Sequence, residues 1–218
     1  MNYKLAIFDM DGTILNTLED LKNSTNYALR AHQLPERSMD EVKSFVGNGI
    51  RKLIERAVPQ GSSIEIIDKV YETFKIYYKE HSADLTRPYE GIPELLRKLK
   101  AAGILTAVVS NKADFAVQDL VRDYFDGLFD EAIGEQKGMR VKPYPDMVEE
   151  LLRRVRVTKE EAVFIGDSDV DYETSQNCEM DVIMVAWGFR EKEFILACGA
   201  PFVVDTPEEI YERIVGRK

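Results

Sequence analysis

Asp9 and Asp11 stand two residues apart in Asp9-Met10-Asp11-Gly12-Thr13, at the end of a short apolar run. Side chains alternate along a strand with period two, so both carboxylates face one side while the strand continues. Two more acids, Asp167 and Asp171, lie four apart in Gly166-Asp167-Ser168-Asp169-Val170-Asp171, after Val163-Phe164-Ile165. Between these pairs come Ser110-Asn111-Lys112, directly after Val108-Val109, and then Lys142-Pro143. Carboxylates at about 4 Å repel by ~1 kcal/mol in water and by ~4 kcal/mol at an effective dielectric near 20. Asp9, Asp11, Asp167 and Asp171 therefore need positive charge if they converge. A divalent cation together with Lys142 offsets most of it, and a phosphate adds negative charge again. Such a set makes chemical sense when some carboxylates hold a metal and one is a nucleophile. Mg²⁺ is the ion that suits few carboxylates plus substrate phosphate and water.

Each segment alone has a plainer reading. Asp-x-Asp after a strand is often a turn or a cap, and Ser110-Asn111 fits an N-cap. Lys142 alone reads as a surface lysine, and acids at 167–171 suit a helix start. The elements around them argue for more. Apolar runs at 5–8, 104–109, 132–133, 162–165, 182–186 and 202–204 are mostly separated by helical patterns. Runs apolar on both faces fit strands buried between helix layers, which predicts an α/β, doubly wound parallel sheet. Ligands bind outside the carboxyl ends of such strands, where the segments after 5–8, 104–109 and 162–165 fall.

The stretch from about 17 to 85 breaks this rhythm and reads as several helices. Thr17 with Asp20 and Ser38 with Glu41 are spaced as capping boxes. Residues 63–81 carry a helical apolar pattern at Ile67, Val70, Phe74 and Tyr77. The expected organisation is an α/β core from 1–15 and 87–218, with a helical insertion at 16–86. Gly103 closes the core helix expected at 91–102.

The 218 residues are 44% hydrophobic and 31% charged, with a net charge of −10, which excludes a wholly disordered chain. The acidic balance argues against nonspecific nucleic-acid binding but leaves room for a small anionic substrate beside a local cation. No run reaches the ~18 apolar residues of a membrane span. Cys178 and Cys198 lack metal-ligand spacing, and with no signal-like start they read as reduced thiols of a cytoplasmic protein.

In the order Asp9-Met10-Asp11-Gly12-Thr13-Ile14, Ser110, Lys142-Pro143 and Gly166-Asp167-Ser168-Asp169-Val170-Asp171, the sequence resembles the haloacid-dehalogenase-like superfamily. Within it, the likeness is to the phosphoglycolate-phosphatase-like branch, over essentially the whole chain. The resemblance implies that Asp9 attacks phosphorus to form an aspartyl-phosphate. Asp11 would protonate the leaving alcohol and then activate water. Ser110 and Lys142 would hold phosphoryl oxygens. The Asp9 carboxylate, the Asp11 carbonyl and Asp167 would ligate Mg²⁺, supported by Asp171. The helical insertion resembles the family's cap, with hinges near Asn16-Thr17 and Arg87-Pro88. In Val46-Gly47-Asn48-Gly49-Ile50-Arg51, Asn48 and Arg51 would meet a substrate carboxylate, and Thr13 and Asn111 would complete the substrate contacts. The expected partner is a small phosphorylated metabolite, with neither nucleic acid nor membrane, and the chain a monomer or homodimer.

Some features depart from the family pattern. Asn16-Thr17 stands where Asp-Ser or Asp-Thr is common. Cys178-Glu179-Met180 stands where Ala-Gly-Met is common, which would strain Glu179 if the left-handed cap persists. Thr13 favours a phosphatase over sugar phosphomutases, whose early cap histidine is absent from Leu18-Glu19-Asp20-Leu21. The alternatives are a β-phosphoglucomutase-like isomerase, an inorganic pyrophosphatase and, outside enzymes, a phospho-acceptor signalling domain.

Overall fold

The computed structural model describes residues 3–216. The chain divides into two compact units, Met1–Leu15 with Pro88–Lys218 and Asn16–Arg87.

The first unit is built on a six-stranded sheet. Its strands are β1 (Leu5–Phe8), β4 (Leu105–Ala113), β5 (Glu131–Glu135), β6 (Ala162–Gly166), β7 (Asp181–Val185) and β8 (Val203–Val204). They lie in the order β5-β4-β1-β6-β7-β8, and every pairing is parallel. Period-two alternation sends Ala6 and Phe8 to one apolar cluster and Leu5 and Ile7 to another. The first cluster takes in Leu95 and Leu99 of α5 (Ile92–Ala101), Val117 and Leu120 of α6 (Asp114–Phe125), and Ile210 of α10 (Pro207–Val215). The second takes in Met147 and Leu151 of α7 (Asp146–Val155), Cys178 after α8 (Asp169–Asn177), and Ile195 of α9 (Lys192–Ala197). Helices therefore cover both faces of a doubly wound sheet, as the apolar runs predict. The chain starts at β1, fills β4 and β5 to one side, then returns to β6 on the other, so the ends of β4, β1 and β6 adjoin the switch point.

One expectation is corrected at β4. The strand does not stop at Val109 but continues through Ser110, Asn111 and Lys112 to Ala113, with a register irregularity against β5. Gly134 permits the irregular approach: a Cβ there would lie 2.6 Å from the Lys112 carbonyl oxygen and 2.5 Å from the Asp114 Cα.

The second unit contains α1 (Leu18–Ala31), α2 (Met39–Phe45), α3 (Gly49–Ala57) and α4 (Ile64–His81). The chain passes out through β2 (Leu15–Asn16) and back through β3 (Arg87–Pro88). Ser38 and Glu41 form the expected capping box. Thr17 does not: its side chain caps nothing, and Asp20 instead accepts from Leu85 N, Thr86 N and Thr86 Oγ1, at 2.8–3.1 Å. A carboxylate buried in this way satisfies the returning backbone rather than its own helix start. On α4 the buried stripe is Val70, Phe74 and Tyr78. Tyr77, expected in that stripe, sits at its flank and stacks on Tyr27 with ring centroids 3.8 Å apart. Among the described residues, no helix is long and apolar enough to cross a membrane.

Candidate active site

Asp9 follows the last residue of β1, and its N–H still donates to the Ile165 carbonyl of β6 at 2.9 Å. The chain then turns: Ile14 and Leu15 N–H both donate to the Met10 carbonyl at 3.0 Å. Gly12 adopts φ +92°, and a Cβ there would stand 2.4 Å from an Asp167 carboxylate oxygen. Only glycine meets both demands at that position. The turn separates the two acids that strand periodicity would have kept together. Asp9 faces Asp167 and Asp171, whereas Asp11 meets Lys112.

Asp9, Asp167 and Asp171 are all buried, and each offers a carboxylate oxygen within 4.8 Å of the others. Asp171 is the third helical residue of α8 and closes a capping box with Ser168. One of its oxygens accepts from Asp167 N, Ser168 N and Ser168 Oγ, at 3.2, 3.0 and 2.7 Å. Asp167 precedes the helix, so the two acids meet across its first turn rather than along a shared helical face. Asp167 is fixed from two sides. Thr13 Oγ1 donates to Oδ1 at 3.1 Å, and Phe189 N donates to Oδ2 at 2.6 Å.

Lys142 supplies the charge. Its buried ammonium lies 2.8 Å from Asp9 Oδ1 and 2.7 Å from Asp171 Oδ1. Burial pulls its pKa down, but Asp171 and Asp9 more than reverse this and hold it charged. For Asp9, burial pushes the pKa up to about 7, with Lys142 opposing and Asp171 and Asp11 adding to the rise. Burial, Asp171 and Asp9 also raise Asp167 well above the usual carboxylate range. One lysine is thus insufficient for three carboxylates. The donors are all hard oxygens, and their oxygen spacing and excess negative charge fit a small divalent cation.

Ser110 is buried at the site, where its Oγ accepts from Lys112 N at 3.3 Å. Asn111, expected among the substrate contacts, uses its side-chain amide on the main chain of Lys142. Its Nδ2 donates to the carbonyl at 2.9 Å and its Oδ1 accepts from the N–H at 2.8 Å. The pair locks Lys142 in place, a reach of 31 residues that the local sequence does not signal. Thr13, likewise expected to contact substrate, is engaged with Asp167. Asn48 and Arg51 belong to the helical unit. Arg51 is already paired there with Asp68 and Glu55, and Asn48 Oδ1 accepts from Arg56.

Two participants escape the sequence reading. Lys112 is buried, with its ammonium 2.9 and 3.3 Å from the two Asp11 oxygens. Its only signal is adjacency to Ser110. The other is Trp187-Gly188-Phe189. Trp187 Nε1 donates to the Thr13 carbonyl at 3.0 Å, and a Cβ at Gly188 would stand 2.2 Å from Asp167 Cβ. Trp187 therefore ties this loop to the turn that follows β1.

The arrangement offers a buried carboxylate, a second carboxylate set apart from it, two lysines and a cluster of carboxylate oxygens spaced so that they could hold a cation. The family model for haloacid dehalogenase-like hydrolases matches residues 6–185. A phosphoglycolate phosphatase from Mannheimia succiniciproducens is 32% identical over 196 residues, covering 86% of this chain and 88% of the relative. An N-acetylmuramic acid 6-phosphate phosphatase from Pseudomonas aeruginosa is 30% identical over 214 residues, covering 97% and 95%. A crystal structure from Lactobacillus delbrueckii subsp. bulgaricus, provisionally assigned as a phosphoglycolate phosphatase, superposes with a TM-score of 0.95 at 38% identity over 100% of both chains. Convergent geometry and shared sequence lead to one family: this chain is a haloacid dehalogenase-like hydrolase of the phosphoglycolate-phosphatase-like branch, and a phosphatase.

Proposed function

We propose that the chain is a Mg²⁺-dependent phosphatase acting on a small phosphate monoester through an aspartyl-phosphate, with phosphoglycolate the first candidate substrate. The observation that carries this reading is Lys142 bridging Asp9 and Asp171 while Asp11, two residues from Asp9, is held separately by Lys112. That separation gives two carboxylates different tasks. Asp9 attacks phosphorus, its oxygen forms the new P–O bond, and the ester P–O bond breaks. The departing alcohol oxygen takes a proton from Asp11. Asp11 then takes a proton from water, whose oxygen attacks phosphorus, releases inorganic phosphate and restores Asp9. Lys142 steadies the attacking carboxylate and, with Ser110, the phosphoryl oxygens.

Asp9, Asp167 and the Asp11 carbonyl would hold Mg²⁺, and Asp171 would orient both Lys142 and the loop carrying Asp167. Bound there, the ion would supply charge stabilisation for the phosphoryl group. The partner in this reading is a small phosphorylated metabolite, and neither nucleic acid nor a membrane surface is needed.

The test is a phosphomonoester panel with and without Mg²⁺, including phosphoglycolate, sugar phosphates, nucleotides, N-acetylmuramic acid 6-phosphate and pyrophosphate. Phosphate release should require Mg²⁺ and vanish in Asp9→Asn. Activity that survives Asp9→Asn refutes the covalent route. Conversion of glucose 1-phosphate to glucose 6-phosphate without net phosphate release would instead mark a mutase. A preference for pyrophosphate would mark a pyrophosphatase, and a long-lived phospho-Asp9 a signalling domain.

A further inference from the structure

We propose that Lys112 selects substrates bearing a carboxylate on the carbon next to the phosphate ester oxygen. This deepens the proposed reaction and rests on its assignment of Asp11 to the leaving group.

The two lysines of the site serve different partners. Lys142 stands between Asp9 and Asp171, on the side of the phosphoryl group. Lys112 stands against Asp11, with its side chain 2% exposed. Both Asp11 and Lys112 belong to the α/β unit, so their contact is a property of that unit alone.

Distances then define what Lys112 can reach. To exchange a proton with Asp11, the ester oxygen must come within ~2.6–3.2 Å of an Asp11 oxygen. The ammonium is 2.9 Å from Oδ1, which bounds its distance from the ester oxygen at roughly 6 Å. A carboxylate on the neighbouring carbon has oxygens about 3 Å from the ester oxygen by covalent geometry. A charge-assisted N–H···O bond spans a further ~2.7–2.9 Å. The two reaches add to the available span. A carboxylate several atoms farther along the molecule is not held to that span by covalent geometry and must lose chain freedom to reach the ammonium.

Charge favours the same ligand. The helical unit's Arg51, expected to meet a substrate carboxylate, is already paired with Glu55 and Asp68. Around the ester oxygen the ammonium is a buried cation carried on the sheet, fixed on β4 rather than on a surface loop. A neutral group in place of the carboxylate would leave that cation with one anionic partner fewer in the bound complex, which is how a site built around charge rejects an isostere.

The experiment compares 2-phosphoglycolate with 2-hydroxyethyl phosphate, which exchanges the carboxylate for an alcohol. Steady-state kinetics are measured for the intact wild-type protein with Mg²⁺, Lys112→Met and Lys112→Arg. In Lys112→Met the kcat/KM preference for phosphoglycolate should fall about 30-fold, the equivalent of ~2 kcal/mol. Most of that fall should appear in KM, and Lys112→Arg should retain most of the preference. An equal loss on both substrates would show that Lys112 only holds Asp11 in position, and overturns the proposal. So does a wild-type protein that does not prefer the carboxylate. If Lys112→Met does not fold, Lys112→Gln makes the same comparison. Calorimetric binding of both compounds to Asp9→Asn, with and without Lys112→Met, separates selection from turnover. If the wild type hydrolyses neither compound, phosphate release from the wider monoester panel decides the proposed reaction, while this binding comparison decides the role of Lys112. Selective loss of phosphoglycolate binding supports it, and equal binding overturns it.

Discussion

Gly188→Ala tests whether the loop after β7 positions Asp167, the proposed cation ligand. A Cβ at residue 188 would stand 2.2 Å from Asp167 Cβ, 2.4 Å from Oδ2 and 2.5 Å from Cγ. The backbone at Gly188 lies outside the left-handed region, so alanine carries no conformational penalty there and any effect is crowding. Relief requires a displacement on the order of 1 Å at the base of the Asp167 side chain, where no rotamer change helps. Overpacking of this kind costs about 1–3 kcal/mol. The Phe189 N–H bond to Asp167 Oδ2, 2.6 Å long, is broken or stretched by the same movement. Hydrogen bonds to a charged group contribute about 1.5–3 kcal/mol. Disturbing a ligand's supporting shell typically weakens metal affinity 10–100-fold. The expectation is therefore a Mg²⁺ dissociation constant raised by about 30-fold in calorimetric titration, the middle of that range. Melting of the cation-free protein should show a loss of about 1–3 kcal/mol. Gly127→Ala is the control: its φ is +68° and nothing lies within 4 Å of the added carbon. It should lose about 1 kcal/mol of stability to backbone strain while its Mg²⁺ affinity is unchanged. If Gly188→Ala binds Mg²⁺ within threefold of wild type, Gly188 is not what holds Asp167 in place.

The remaining expectations concern protons, the helical unit and one strained cap. Asp9 has a folded-state pKa of about 7 against 3.8 unperturbed. The folded, cation-free protein therefore binds more protons than the unfolded chain between those values, and its stability from this group falls as pH rises through the window. Mg²⁺ competes with those protons, so the rise in Tm on adding Mg²⁺ should grow from about pH 5.5 to pH 8; a shift that is flat with pH contradicts this. Asp20→Ala leaves the Leu85 and Thr86 N–H groups without their carboxylate, and should cost about 2–4 kcal/mol in denaturant unfolding. A loss below about 1 kcal/mol would mean water replaces the clamp. Glu179 adopts φ +52° where α8 ends, and Glu179→Gly should stabilise the protein by about 1 kcal/mol. The Tm should rise by about 2–4 °C, since the exposed Lys159–Glu179 contact given up in exchange is weak. An unchanged or lower Tm would show that the left-handed residue is not strained.

Much of the fold can be read locally because buried strands announce themselves. Leu5–Phe8 and Ala162–Gly166 are apolar on both faces, and that composition alone requires helix layers above and below. The chemistry-bearing acids follow these strands directly, so their approach needs only the sheet order. The caps were less legible. Ser38 and Glu41 obey the spacing rule, but Thr17 and Asp20 share it and do not form the box, because Asp20 is drawn to backbone 65 residues away.

Residue types and local order were enough to determine an α/β core, a helical insertion and an acidic cluster with Lys142 beside it. Tertiary structure alone decided which cation serves which carboxylate, that Asn111 locks Lys142, and that Gly188 and Phe189 confine Asp167. Periodicity records only which face a side chain takes, whereas these partners are set by the distance between separate strand ends after the sheet has formed. A buried lysine and an exposed one are the same letter in the chain. The sheet makes Lys112 a buried ion-pair partner by carrying β4 past Val109 and bringing its ammonium to Asp11.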